Sequence, residues 1–362
     1  MPTLNDPVEM GALTLPNRVL MAPLTRGRAT RDGVPTELMG AYYSQRAAAG
    51  LIISEATGIS REGLGWPYAP GLWTNAQVEG WKPVVEAVHQ AGGRIVAQLW
   101  HMGRVVHPSV SGIQPVSASA TRAPGHAHTY EGNQDYVEAR PATGDDIARI
   151  RGDYAAAARR AIAAGFDGVQ VHGANGYLID QFLRDSSNLR ADEYGGPIAN
   201  RIRFLSEVVA AVAAEVGISR TGLRLSPNGA VNGVEDSDGQ ALFTAAAEAM
   251  EGLGLPWLEL HEPGPQSTFR PTGEPPVSPA IRQVFSGKLV LNSDYRADSA
   301  AALIESGAAD AISFGRPFIA NPDLVARLQT GAPLSRWDAS TFYSQGAAGY
   351  TDYPTATEQA AA

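Results

Sequence analysis

The run Val171-His172-Gly173-Ala174-Asn175-Gly176-Tyr177-Leu178-Ile179-Asp180 is the densest cluster of reactive side chains in the sequence. His172 and Asn175 can both donate to one oxygen. Tyr177 carries a phenol whose ordinary pKa is about 10, a poor general base at neutral pH but a suitable proton donor to a strongly basic carbanion. The competing reading is a turn between a strand and a helix, with two glycines, an internally satisfied histidine and a packed tyrosine.

Other chemistry is spread along the chain. Ser293-Asp294 and Gly315-Arg316 pair backbone N–H donors with a guanidinium, a combination suited to a phosphate dianion. Otherwise Arg316 pairs with a surface carboxylate. Arg224, pointing inward, needs an anionic partner, which a carboxylate or an electron-rich ring could supply. Gln98 offers a donor and an acceptor together, as an imide edge requires, and Thr25 offers a hydroxyl. Trp66, Tyr68, Trp100, Tyr177 and Tyr350 could line a flat apolar pocket or simply pack. The seven histidines lack metal-ligand spacing, so no metal is expected, and the lysines, Lys82 and Lys288, are not placed to form a Schiff base.

These residues sit at the ends of short apolar runs that alternate with helical patterns. The strand candidates are 18–22, 51–56, 94–99, 168–172, 222–225, 257–260, 288–291 and 311–314, each a Val/Ile/Leu-rich run of the kind buried on both faces of a parallel sheet. Helical stripes comprise Ile147, Ile150, Tyr154, Ala157, Ala158 and Ala161; then Ile202, Leu205, Val208, Val212 and Val216; then Leu242, Ala246, Met250 and Leu253; and Ala301, Ile304 and Ala308. Helices over 36–49, 77–91, 278–285 and 321–329 complete the series, the last opened by Asn321-Pro322 as cap and first residue. Eight strand-then-helix units predict a single (β/α)8 TIM barrel spanning 1–362, with chemistry at the C-terminal ends of its strands and a phosphate seat after strands 7 and 8. A doubly wound sheet is the alternative, but no G-x-G-x-x-G follows any strand. Residues 101–141, rich in Pro, Ser, Gly and His, predict a lid inserted after strand 3. Residues 336–362 form a C-terminal extension with a frayed end from Thr355.

Composition narrows the classes further. With 362 residues, of which 44% are hydrophobic, the chain can build a large core. It has no cysteine, which excludes disulfides, thiolate metal sites and iron–sulfur clusters. A formal charge of −9 without basic runs argues against nucleic acid as partner. Neither a signal peptide nor a membrane span is evident, so a cytoplasmic protein acting on small molecules, as monomer or homodimer, is expected.

In this order the motifs resemble the Old Yellow Enzyme family of FMN-dependent ene-reductases over nearly the whole chain. The resemblance rests on residues 15–26 (LPNRVLMAPLTR), 54–57 (SEAT), 98–104 (QLWHMGR), 172–180, 188–197 (NLRADEYGGP), Asn200-Arg201, 314–317 (FGRP) and 349–354 (GYTDYP). It is nearest to members that reduce cyclohexenone, maleimides and nitrate esters. It implies non-covalently bound FMN as cofactor and NADPH or NADH as transient donor. Thr25 and Gln98 would meet the flavin pyrimidine edge, with Pro23, Leu24 and Ala56 nearby. Arg224 would face N1 and O2, and Ser293, Asp294, Gly315 and Arg316 would hold the phosphate, Asp294 through its N–H with its carboxylate turned away. His172 and Asn175 would bind the substrate's carbonyl or nitro oxygen. Tyr177 would protonate the α-carbon after hydride passes from flavin N5 to the β-carbon of an enone, enal, maleimide or nitroalkene, in a ping-pong cycle. Trp66, Trp100 and Tyr350 would shape the pocket. Asn175 stands where other members carry His, and Thr25 where one branch carries Cys. The rival readings are a non-catalytic flavin- or phosphate-binding barrel acting as sensor or carrier, and a barrel aldolase or isomerase.

Overall fold

The computed structural model describes residues 1–361. Its barrel has eight parallel strands: β1 Val19–Met21, β2 Ile52–Ile53, β3 Ile95–Trp100, β4 Gly168–His172, β5 Thr221–Leu225, β6 Trp257–His261, β7 Lys288–Asn292 and β8 Ala311–Phe314, with the short strand Thr57–Gly58 added beside the end of β3. Each pairs with its neighbours in chain order. β8 closes onto β1 through Ile312↔Val19, Ser313↔Leu20 and Phe314↔Met21, completing a (β/α)8 barrel. All eight expected strands form. Their side chains alternate between the helix layer and the barrel interior, and the interior is stratified. At its base Leu20, Ile53, Val96, Trp257, Val290 and Ala311 form one apolar cluster with Val8, Met10 and Leu15 of an N-terminal hairpin that plugs this end. Nearer the C-terminal ends of the strands the interior turns polar and buried: Gln98, Gln170, Arg224, Glu259, Asn292 and Ser313. Gly222 accommodates Trp257, because a Cβ there would come within 2.1 Å of the indole.

The surrounding helices are α1 Glu37–Ser44, α2 Asn75–Gln90, α3 Gly144–Ala163, α4 Arg203–Val216, α5 Gly239–Gly252, α6 Ser278–Val284, α7 Ala297–Glu305 and α8 Leu324–Thr330. In α3 the whole predicted stripe from Ile147 to Ala161 is buried, and Thr143 with Asp146 forms a capping box at its start. Leu253 departs from its predicted stripe, lying beyond the end of α5 at 37% exposure. Ala300 rather than Ala301 joins Ile304 on the buried face of α7. Asn321 does not open the last helix. Its amide is occupied by the Pro317 carbonyl at 2.8 Å and the Ser335 N–H at 2.7 Å, closing the short helix Arg316–Ala320, and α8 starts after Asp323.

Both interruptions of the rhythm are ordered. Residues 101–141 contain a helical turn, a hairpin pairing His126–Thr129 with Gly132–Asp135, and a parallel pairing of Val116–Ser117 with Arg140–Pro141. The expected fraying after Thr355 is replaced by the helix Ala356–Ala361, tied back through Ala356 N–H to Asp323 and Gln359 to Arg327, with Ala362 outside the described residues.

Candidate functional site

A cavity of about 290 Å³ opens at the C-terminal ends of the strands. Pro23, Leu24 and Thr25 after β1 form one wall, and Ser293, Asp294, Gly315 and Arg316 after β7 and β8 another. Asn175, Tyr177 and Arg224 enter from β4 and β5, and Trp66 and Tyr343 stand at the rim.

The 172–180 turn is built by its own backbone. Asn175 lies in the left-handed region at φ 58°, which asparagine tolerates better than most residues, and its N–H donates to Ser226 Oγ at 2.7 Å. Gly176 follows at φ 71°, where a Cβ would meet the Val231 carbonyl at 2.2 Å, so only glycine fits. Asp180 accepts the Gly176 N–H at 2.8 Å and pairs with Arg184 at 3.0 Å, locking the turn from beneath. Tyr177 then caps the helix Leu178–Leu183, whose first N–H is taken by the His101 carbonyl at 3.0 Å.

His172 Nδ1 accepts the Ala174 N–H at 3.3 Å, so the proton of the neutral ring belongs on Nε2, making that nitrogen a donor. Burial, reinforced by the nearby Arg224 and His261, holds the His172 pKa well below the ordinary histidine value. His261 is pushed down to about 3, again chiefly by burial. Tyr177 packs edge-on to Trp100 at 5.0 Å and to His172 at 5.1 Å, leaving only its cavity face open. Burial, aided by Tyr136 and Tyr343, raises its phenol far above the usual value, so it stays protonated.

Arg224 finds its anion in a carboxylate: Glu259 Oε1 lies 2.5 Å from Nη1, and Nη2 donates to Asn292 Oδ1 at 2.8 Å. Arg316 makes no ion pair among the described residues; it donates to Thr268 Oγ1. Asp294 accepts the Thr268 N–H and hydroxyl at 2.5 and 2.8 Å, on the same Thr268 that Arg316 contacts. Arg224 Nε, Asn175 Oδ1 and His261 Nδ1, all on residues that line the cavity, find no partner among the described residues. That surplus of polar atoms, with a guanidinium lacking an ion-pair partner at the β7–β8 end, fits a polar ring system bearing a phosphate.

Five predicted site residues are not among those lining the cavity, the first being His172, which is 4% exposed and packed edge-on to Tyr177. Gln98 sits a layer below the cavity lining, its Nε2 donating to Gln170 at 2.7 Å. Ala56 is buried in an apolar cluster with Trp100 and Leu64. Trp100 backs Tyr177 instead of lining the pocket. Tyr350 is displaced most. It is wholly buried, stacked on Tyr42 at 4.0 Å beneath Arg26 and Arg28, because those guanidiniums need aromatic faces and carbonyl acceptors in a dry environment. The extension contributes Phe342 and Tyr343 to the cavity in its place, pinned by Arg28 Nη1 donating to the Phe342 carbonyl at 2.7 Å. Tyr343 and His128 of the 126–135 hairpin both pack on Trp66, at 4.9 and 5.3 Å. Sequence reading passed over Phe269, Glu259 and Gln170. A polar residue two positions before each strand end was the available signal for the last two.

A closed barrel with a polar cavity at the C-terminal ends of its strands has the architecture of a barrel enzyme. The profile of the NADH:flavin oxidoreductase / NADH oxidase family matches residues 3–335, and the chain belongs to that family. It is 44% identical over 355 residues, 96% of each chain, to a probable flavin mononucleotide-dependent alkene reductase of Leishmania infantum. The Old Yellow Enzyme homologue of Zymomonas mobilis superposes with a TM-score of 0.97 at 57% identity, covering 98% of this chain and 99% of that one. Morphinone reductase in complex with tetrahydroNAD superposes at 0.92 with 47% identity, covering 98% of both. The protein is thus an FMN-dependent oxidoreductase of the Old Yellow Enzyme type, served by NAD(P)H.

Proposed function

We propose that the chain is an ene-reductase for activated alkenes: enones, enals, maleimides and nitroalkenes. The observation that carries this reading is the 172–177 turn, which brings Asn175 and a protonated Tyr177 to one cavity, with a neutral histidine protonated on Nε2 packed edge-on against that phenol. Bound FMN supplies the hydride, taken from NAD(P)H. Ser293, Gly315 and Arg316 hold its phosphate, with Asp294 contributing only its N–H. Pro23, Leu24, Thr25 and Arg224 would hold the ring, with Gln98 reaching it from the layer below and Ala56 behind.

His172 Nε2–H and the Asn175 amide donate to the substrate's carbonyl or nitro oxygen. Their donation strengthens as negative charge grows there, so the transition state gains more than the ground state. Tyr177 gives its proton to the α-carbon, a role that a phenol neutral at every physiological pH can fill and a carboxylate cannot. Trp66 and Tyr343 exclude water and keep a planar substrate flat. Anaerobic NADPH should bleach the flavin and 2-cyclohexenone should restore its colour. Tyr177→Phe should slow only the second step, by roughly 10²- to 10⁴-fold. Equal slowing of both steps, or of neither, removes Tyr177 from this role. A flavin that no alkene reoxidises favours the sensor or carrier.

A further inference from the structure

A chain of buried polar groups crosses the barrel just beneath the cavity and converges on Glu259. Its side chain is wholly buried, and both carboxylate oxygens are engaged. Oε1 accepts the Ser313 hydroxyl at 2.6 Å and lies 2.5 Å from Arg224 Nη1, and Oε2 accepts Gln170 Nε2 at 2.8 Å. Gln170 Oε1 in turn accepts Gln98 Nε2 at 2.7 Å. Because a carboxylate only accepts, Gln170 must turn its amide nitrogen to Glu259 and its oxygen to Gln98. Gln98 must then turn its own nitrogen toward Gln170. One carboxylate therefore dictates the orientation of two amides and leaves Gln98 Oε1 free to accept an imide N–H. On its other side Glu259 forms an ion pair with Arg224 Nη1 and Asn292 accepts from Nη2, while Nε and Nη1 find no hydrogen-bond partner among the described residues.

We propose that Glu259 is a positioning residue that sets the reduction potential of the flavin, a role that rests on the flavin seat argued above. Reduction places negative charge on the pyrimidine side of the ring, which the Arg224 cation stabilises. Glu259 offsets that cation from within contact distance in a dry interior, where little else screens it. It thereby holds the potential lower than Arg224 alone would set it, and the reduced flavin gives up its hydride more readily.

The test is anaerobic redox equilibration of the holoenzyme against a reference dye. Glu259→Gln should shift the equilibrium about tenfold toward reduced flavin, about 30 mV for a two-electron couple. A shift below about twofold, or toward the oxidised form, overturns the proposal. Arg224→Gln should shift the equilibrium the opposite way. If Arg224→Gln has no effect, the flavin seat itself is wrong; if it shifts the potential while Glu259→Gln does not, only the role of Glu259 fails. Should Glu259→Gln not fold, Glu259→Asp keeps the charge but draws it back by one methylene. It should still shift the equilibrium toward reduced flavin by at least about twofold, and no shift again overturns the proposal.

Discussion

Replacing Tyr350 by phenylalanine and, separately, by alanine should move stability in opposite directions. The ring lies parallel to Tyr42, 4.0 Å away, with the Arg28 and Arg26 guanidiniums 4.6 and 5.1 Å from its centre. Its hydroxyl is buried without a partner among the described residues. An unsatisfied buried hydroxyl costs about 1–3 kcal/mol. Tyr350→Phe removes that cost and keeps every ring contact, so the fold should gain about 1 kcal/mol once the small void left behind is counted. Tyr350→Ala loses about 3–5 kcal/mol from the cavity alone. Losing the stack and two cation–π contacts brings the total to roughly 4–6 kcal/mol. Thermal melting of the two holoproteins measures both signs. Enone kinetics give the second readout: the phenylalanine variant should keep kcat/KM, whereas the alanine variant should raise KM as Phe342 and Tyr343 lose their support. A destabilised Tyr350→Phe would mean that the hydroxyl is satisfied, and a changed KM in that variant would mean that Tyr350 reaches the substrate.

Three further outcomes are expected. His172 and His261 stay neutral in the fold but regain an ordinary pKa of about 6.5 when unfolded, so below that pH the unfolded state binds more protons and stability falls. The slope is about 1.4 kcal/mol per pH unit for each histidine, with none above about pH 6.5. His261→Asn should remove about half of it in urea melts between about pH 6.5 and 5, and an unchanged slope would contradict the assignment. Arg316→Gln should weaken FMN binding to the apoprotein by roughly tenfold to a hundredfold, from about 1.5–3 kcal/mol, and leave riboflavin binding untouched; equal losses would place the phosphate elsewhere. His172→Ala should weaken enone or phenol binding more than it slows flavin reduction by NADPH, as rapid mixing of each half-reaction would reveal.

The barrel was legible because each strand is a compact apolar run and each helix carries its stripe, signals that act over a few residues. The mouth was legible for the same reason, since Thr25, Tyr177 and Arg316 each follow directly on such a run or its turn. Tyr350 was not. Nothing local to Gly349-Tyr350-Thr351 distinguishes a pocket aromatic from one buried under Arg26, because that choice depends on guanidiniums more than three hundred positions away. The partner of Arg224 shows the same limit: a buried carboxylate was one of two candidates, and only closure of β5 against β6 brings Glu259 to it.

The Arg26–Arg28 latch bears on the order in which the molecule is made. Arg26 Nε and Nη2 donate to the carbonyls of Phe342 and Gly349, contacts spanning 316 and 323 residues. The entropy of closing so long a loop grows only logarithmically with length, so the latch costs little more than a shorter one would. Its timing is another matter. Until the ribosome has released residues 342–350, two guanidiniums beside Thr25 lack the acceptors they are shaped for, and the cavity lacks one wall. A nascent chain therefore carries the 172–177 turn well before it carries the cavity wall formed by Phe342 and Tyr343, which closes only after the eighth strand is in place.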